Sequence, residues 1–265
     1  MDDFTGKKAL VFGGGGSIGS AVAKELAARG ADVFLSGPRQ TSVDLVAEEI
    51  VAQGGYAHAA IVDATDDAAV GAYIKEVLVQ AGRIDIVFNA MGPRVGDYAN
   101  GVYAADLSVD QFMHPLLTLV RSQFITSHHA ARIMQAQQSG VIILLTGSPA
   151  RGHVSGATAI GTAFGALESF TENLAVEVGL AGVRVACLRT TVNIDSRTIQ
   201  ETMDGIGKHA GLSREQVLEN LKSYNFLRTH GRVEDTAKAV AFIASDDARM
   251  ITCTVVNSSA GAALD

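Results

Sequence analysis

A chain of 265 residues, 48% of them hydrophobic, is long enough to bury a full core and suits a single large α/β domain. Its 21 basic and 28 acidic residues leave a net charge of −7, with no cluster of Lys or Arg able to neutralise a run of phosphates, so no nucleic-acid partner is expected. No apolar stretch reaches the roughly 18 uncharged residues of a membrane span, and the opening MDDFTGKK is too acidic for a secretory signal, so a cytoplasmic protein with no membrane partner is expected.

Short apolar runs alternate with helix-period segments almost from end to end, the pattern of a parallel sheet with helices on both faces. Residues 9–13 form the first expected strand, followed by a glycine-rich turn and a helix over 17–28. Strands at 32–36, 57–63, 84–89, 140–145, 183–188 and 254–257 follow, separated by helices over 41–53, 66–81, 110–138 and 157–178 and by a last helix over 235–245. This predicts one seven-stranded, doubly wound Rossmann-type domain over 1–265. The segment at about 193–230 breaks the rhythm and is expected to cover a site or to be a surface loop. Cys187 and Cys253 both fall in apolar runs, which predicts two small core residues and no disulfide or metal pair.

The first strand, turn and helix, ALVFGGGGSIGSAVAKELAA, have a form suited to phosphate. Glycines let the backbone approach a pyrophosphate closely, and the helix that follows offers free N–H groups and the positive end of its dipole. The second strand ends in LSGPRQ, with no carboxylate to accept hydrogen bonds from an adenosine ribose. Ser36 and Arg39 stand there, and an Arg pairs with a 2′-phosphate, so NADP(H) is favoured over NAD(H).

These features resemble the short-chain dehydrogenase/reductase family. Its TGxxxGxG turn is matched by Phe12, Gly13, Ser17, Ile18 and Gly19, with Phe12 replacing Thr and Ser17 replacing the middle Gly. Ser17 is expected to cap the helix and donate its hydroxyl to a phosphate. Asp63 in IVDATD, with Ala64 after it, falls where the family's Asp meets the adenine amino group, and NAMG at 89–92, with Asn89 and Ala90, falls where the family has NNAG. The segments 231–245 and 251–261 also resemble the family's, so the likeness covers nearly the whole chain. It implies a homotetramer or homodimer built through the two long helices and the last strand.

The same resemblance implies a Ser, Tyr, Lys and Asn for proton exchange during hydride transfer. Registering LAVEV (174–178) on the family's LAxEL places Gly147 at the Ser position, Ile160 at the Tyr position and Phe164 at the Lys position. Counting from Gln123 and Phe124 places Leu119 at the Asn position. No shift of register restores the set, because no Tyr occurs from 104 to 223 and no Lys from 76 to 207. Tyr224 has Arg228 four residues on, a spacing read as coincidence in the cover segment. Ser148 and His153, on the loop after the fifth strand, are the remaining candidates for chemistry, set against a plain solvated loop. His114, His128 and His129 are read as packing or interface residues, and no metal is expected. Ile160, Phe164 and Leu119 predict a small apolar substrate. Three functions stay open: an NADP-dependent oxidoreductase with an altered site, a non-redox isomerase, cyclase or lyase on the same scaffold, and an inactive binding or regulatory subunit.

Overall fold

The computed structural model describes residues 4–92, 99, 101–151, 154–201, 203 and 211–265. Seven strands, β1 (Lys8–Phe12), β2 (Asp32–Gly37), β3 (Tyr56–Ile61), β4 (Ile86–Asn89), β5 (Gly140–Gly147), β6 (Val183–Thr190) and β7 (Thr254–Ser258), form one sheet. Every pairing is parallel and the order is β3-β2-β1-β4-β5-β6-β7.

Both faces of this sheet are buried, so its central strands are continuous apolar runs whose alternate residues serve opposite layers. Val11, Leu35, Phe88, Ile143 and Leu188 point to one side, where α1 (Ser17–Ala28), α2 (Gln40–Ala52) and a C-terminal helix, Val233–Ala244, close the layer. Leu10, Phe34, Val87, Ile142 and Val185 point to the other, against α3 (Asp67–Ala81), α5 (Arg121–Gln137) and α6 (Thr158–Val178).

The helix expected over 110–138 is broken. It divides into α4 (Val109–Pro115), a π turn over Leu116–Val120, and α5. Pro115 has no N–H to continue the i→i−4 ladder, and the wider turn absorbs the mismatch. Cys187 is buried as expected, whereas Cys253 is exposed: it precedes β7 with φ at 54°, and its thiol donates to the Glu172 carbonyl at 3.6 Å. Among the described residues no helix is long and apolar enough to cross a membrane.

After β6 the chain leaves the sheet at Asn193 and returns at Gly231, and those two residues pair in an isolated parallel bridge. Between them lies α7 (Arg214–Ser223), started by a capping box of Ser213 and Gln216. The C-terminal helix, α8, follows directly. The strand order reverses between β1 and β4, and the crevice beyond the carboxyl ends of these strands is where such a sheet binds ligands.

Candidate functional site

Two adjoining cavities occupy that crevice. The smaller, about 250 Å³, lies beyond β1, β2 and β3 and is bordered by Gly13, Ser36, Arg39, Asp63, Ala64 and Leu119 among others. The larger, about 700 Å³, lies beyond β4, β5 and β6 and is bordered by Ser17, Ile18, Gly147, Ser148, Phe164 and Thr190 among others. They share Gly16, Arg39, Ala90, Met91, Gly92 and Arg197.

The turn between β1 and α1 forms the saddle where they meet. Gly13 has φ at +76°, and a Cβ there would stand 2.9 Å from the carbonyl of Ala90. A Cβ on Gly19 would stand 2.2 Å from the Gly13 oxygen, so only glycine lets the helix pack this close to the strand. Gly16 is the N-cap of α1, without a side-chain cap and with no acidic residue in the first turn. Ser17 therefore sits one residue inside the helix and does not cap it. Its Oγ instead accepts the backbone N–H of Arg197 at 3.0 Å.

Ser36, Arg39, Asp63 and Ala64 border the smaller cavity together. The Asp63 carboxylate accepts the Thr65 hydroxyl at 2.7 Å and its backbone N–H at 2.9 Å. These two bonds hold its pKa below the usual value. Ser36 is buried at the end of β2, where its carbonyl accepts from Gly14, and Arg39 is the exposed N-cap of α2. Asn89 behaves differently, because it is fully buried and its amide is spent on α5: Oδ1 accepts from Thr126 at 2.5 Å and Nδ2 donates to Ser127 at 3.3 Å. It borders neither cavity; Ala90 borders both.

On the other side, Ser148 opens a short 3-10 turn, Ser148–Ala150, and its hydroxyl donates to the Thr190 carbonyl at 3.3 Å. His153 lies outside the described residues. Phe164 borders the larger cavity, and a Cβ on Gly147 would approach its Cε2 to 3.0 Å. Ile160, in contrast, is 3% exposed and packs into the core. Leu119, on the π turn, borders the smaller cavity. The apolar wall expected from Leu119, Ile160 and Phe164 is thus reduced at the larger cavity to Phe164. Tyr224 is exposed and borders neither cavity.

Three supporting groups had no role assigned from the sequence. Gln123 is fully buried, and its amide both donates to and accepts from the Leu145 backbone, at 3.2 and 3.3 Å, standing in for a missing strand partner. Arg197 enters both cavities from the cover segment. Beneath the floor, Arg189 and Glu168 form a bidentate pair, 2.7 and 2.9 Å, with both side chains almost fully buried. Thr146 and Arg151 also donate to Glu168, and Arg189 reaches the Asp265 carboxylate as well. The Glu168 pairing, with Asp265 behind it, raises the Arg189 pKa further, and Arg189 holds the Asp265 carboxyl below its usual range. Burial pushes the neighbouring Cys187 thiol up to about 12, so it is no nucleophile at neutral pH.

The histidines of the long helices lie away from the crevice. His129 Nε2 contacts Asp67 at 2.8 Å and His128 stacks on Phe124. Among the described residues no three His, Cys, Asp or Glu side chains gather as a metal site.

Comparison with known proteins agrees with this geometry. The family model for enoyl-(acyl carrier protein) reductase matches residues 14–263. Secoisolariciresinol dehydrogenase of Forsythia intermedia is 30% identical, over 93% of this chain and 85% of its own. Momilactone A synthase of Oryza sativa subsp. japonica is 28% identical, over 97% and 93%. The fold matches that of NAD+-bound xylitol dehydrogenase with a TM-score of 0.87 at 23% identity, over 96% of this chain and 98% of the other. The chain belongs to the short-chain dehydrogenase/reductase family.

Proposed function

We propose that this chain binds NADP(H) in preference to NAD(H) and acts as an oxidoreductase on a carbonyl-type substrate, through an active site altered from that of its relatives. The observation that carries this reading is the pair of adjoining cavities that meet over the Gly13–Gly19 turn. Their combined form suits a dinucleotide lying across the saddle, with adenosine toward Asp63 and nicotinamide toward Gly147. Arg39, Ser36 and Ser42 border the adenosine end, where no carboxylate follows β2 to repel a 2′-phosphate, while the Asp63 carboxylate beyond β3 is engaged by Thr65.

When bound, the nicotinamide supplies or accepts the hydride. In this reading the Ser148 hydroxyl turns from the Thr190 carbonyl to hold the substrate oxygen, and the proton comes from water or from His153. Leu119, Gly147, Ile160 and Phe164 occupy the register positions of the family's Asn, Ser, Tyr and Lys, so no phenol activated by a lysine is available there. A positioned acid or base contributes roughly 10²–10⁴-fold in rate, and turnover is expected to be slow by about that factor. Met91, Leu145, Pro149, Phe164 and Val192 border the larger cavity and favour a substrate with a small apolar body. The same reading places the protein in the cytoplasm as a homotetramer or homodimer.

Calorimetric titration tests the cofactor. NADPH is expected to bind more tightly than NADH, and binding of neither removes the oxidoreductase reading. Turnover is then followed by the absorbance of NADPH against a panel of ketones, imines and enones. Binding without oxidation across that panel turns the assignment to an isomerase, cyclase or lyase, or to a regulatory subunit.

A further inference from the structure

Among the described residues two cationic side chains border both cavities, Arg39 and Arg197, and only the second lies on the cover segment. Its backbone is fixed beside the first turn of α1 by the Ser17 hydrogen bond, a contact across 180 positions of chain. A helical turn begins at 197 and runs through 201, with the Ser196 hydroxyl accepting the Ile199 N–H at 3.4 Å. Ser196, Arg197, Thr198, Ile199 and Glu201 all face the larger cavity.

The guanidinium itself is loosely engaged. Its acidic neighbour is Glu201, at 3.8 Å, and both side chains are more than half exposed. Exposed pairs of this kind contribute little, because water screens them. Meanwhile the positive end of α1, Arg39 and Arg197 converge on the saddle, and α1 and α2 each lack an acidic residue in the first turn. The carboxylates that border the same cavities, Glu201 and Asp63, are each turned to a neighbour, Arg197 and Thr65, so the excess charge at the saddle is positive and suits an anion.

We propose that Arg197 is a clamp for the dinucleotide's diphosphate, reaching it from the turn that the Ser17 hydrogen bond fixes beside α1. The inference rests on the reading of the crevice as a nicotinamide dinucleotide site. The Glu201 carboxylate lies beside the guanidinium at 3.8 Å. On binding, the guanidinium exchanges that carboxylate for the diphosphate, with no bond made or broken. Arg39 serves the 2′-phosphate, so the two arginines have separable roles.

The test titrates NADPH and NADH into the wild type and into Arg197→Gln, Arg39→Gln and Glu201→Gln by fluorescence, with melting curves to confirm folding. Arg197→Gln is expected to weaken both cofactors by the same factor, about tenfold or 1.4 kcal/mol. Arg39→Gln is expected to weaken NADPH alone, and Glu201→Gln to tighten both. Inorganic pyrophosphate should displace NADH from the wild type and lose that ability in Arg197→Gln. The clamp is overturned if the wild type binds both cofactors and Arg197→Gln binds them unchanged, or loses NADPH alone. A wild type that binds neither cofactor overturns the cofactor reading beneath it.

Discussion

A side chain on Gly147 would begin 3.0 Å from the ring of Phe164, so the two positions cannot vary independently. The ring fills the space into which a serine at 147 would project. Gly147→Ser alone is expected to push the ring into the larger cavity and to cost about 1–3 kcal/mol. Phe164→Ala alone loses packing, while the double variant should be more stable than the two single losses predict. Chemical denaturation of the four proteins measures this coupling, and simple additivity would refute it. The register taken from LAVEV led to the expectation of Gly147 and Phe164 at a site, and both border the larger cavity. The depth of Ile160 was not legible in sequence, because residues four apart on a helix still differ by about 40° in direction. That rotation puts Phe164 at the cavity and Ile160 in the core. Arg197 was invisible for another reason: its partner, Ser17, lies at the opposite end of the chain.

At the scale of elements, the seven strands and the helices packed on them were readable outside the segment 193–230, since buried parallel strands give unbroken apolar runs and their helices give a 3.6-residue period. The π turn after Pro115 escaped because a single extra residue in a helix barely disturbs that period. The buried charges escaped because Glu168 belongs to α6 and Arg189 to β6, and no local pattern links them. Their pair fastens α6 to the ends of β5 and β6, which carry Gly147, Ser148 and Thr190 at or beside their ends. Removing one partner strands a charge in the interior, so Glu168→Leu is expected to destabilise the fold by about 3–5 kcal/mol. Glu168→Leu with Arg189→Met leaves no uncompensated charge and should recover most of that loss. A double variant no more stable than Glu168→Leu would show that the pair is a favourable tie in itself.

The whole molecule leaves apolar surface where the proposed assembly would use it. Phe124 of α5 is half exposed and packs on Phe170 of α6 at 5.6 Å, and Leu117 and Val176 are exposed on the same helical layer. Strand β7 has a partner on one side only, β6. Light scattering on the purified protein is expected to give a mass of two or four chains, and Phe124→Glu is expected to reduce it. A monomer at micromolar concentration would remove the assembly proposal. The cover segment obeys a different logic. Because Asn193 and Gly231 pair with each other, and Thr236 of α8 anchors the Asn193 side chain, the loop is tied off at its base. The entropy of closing such a loop grows only slowly with its length. Evolution can therefore rewrite the residues between those two, the Arg197 turn apart, as a cassette, changing what the protein recognises while the sheet and its phosphate turn stay untouched.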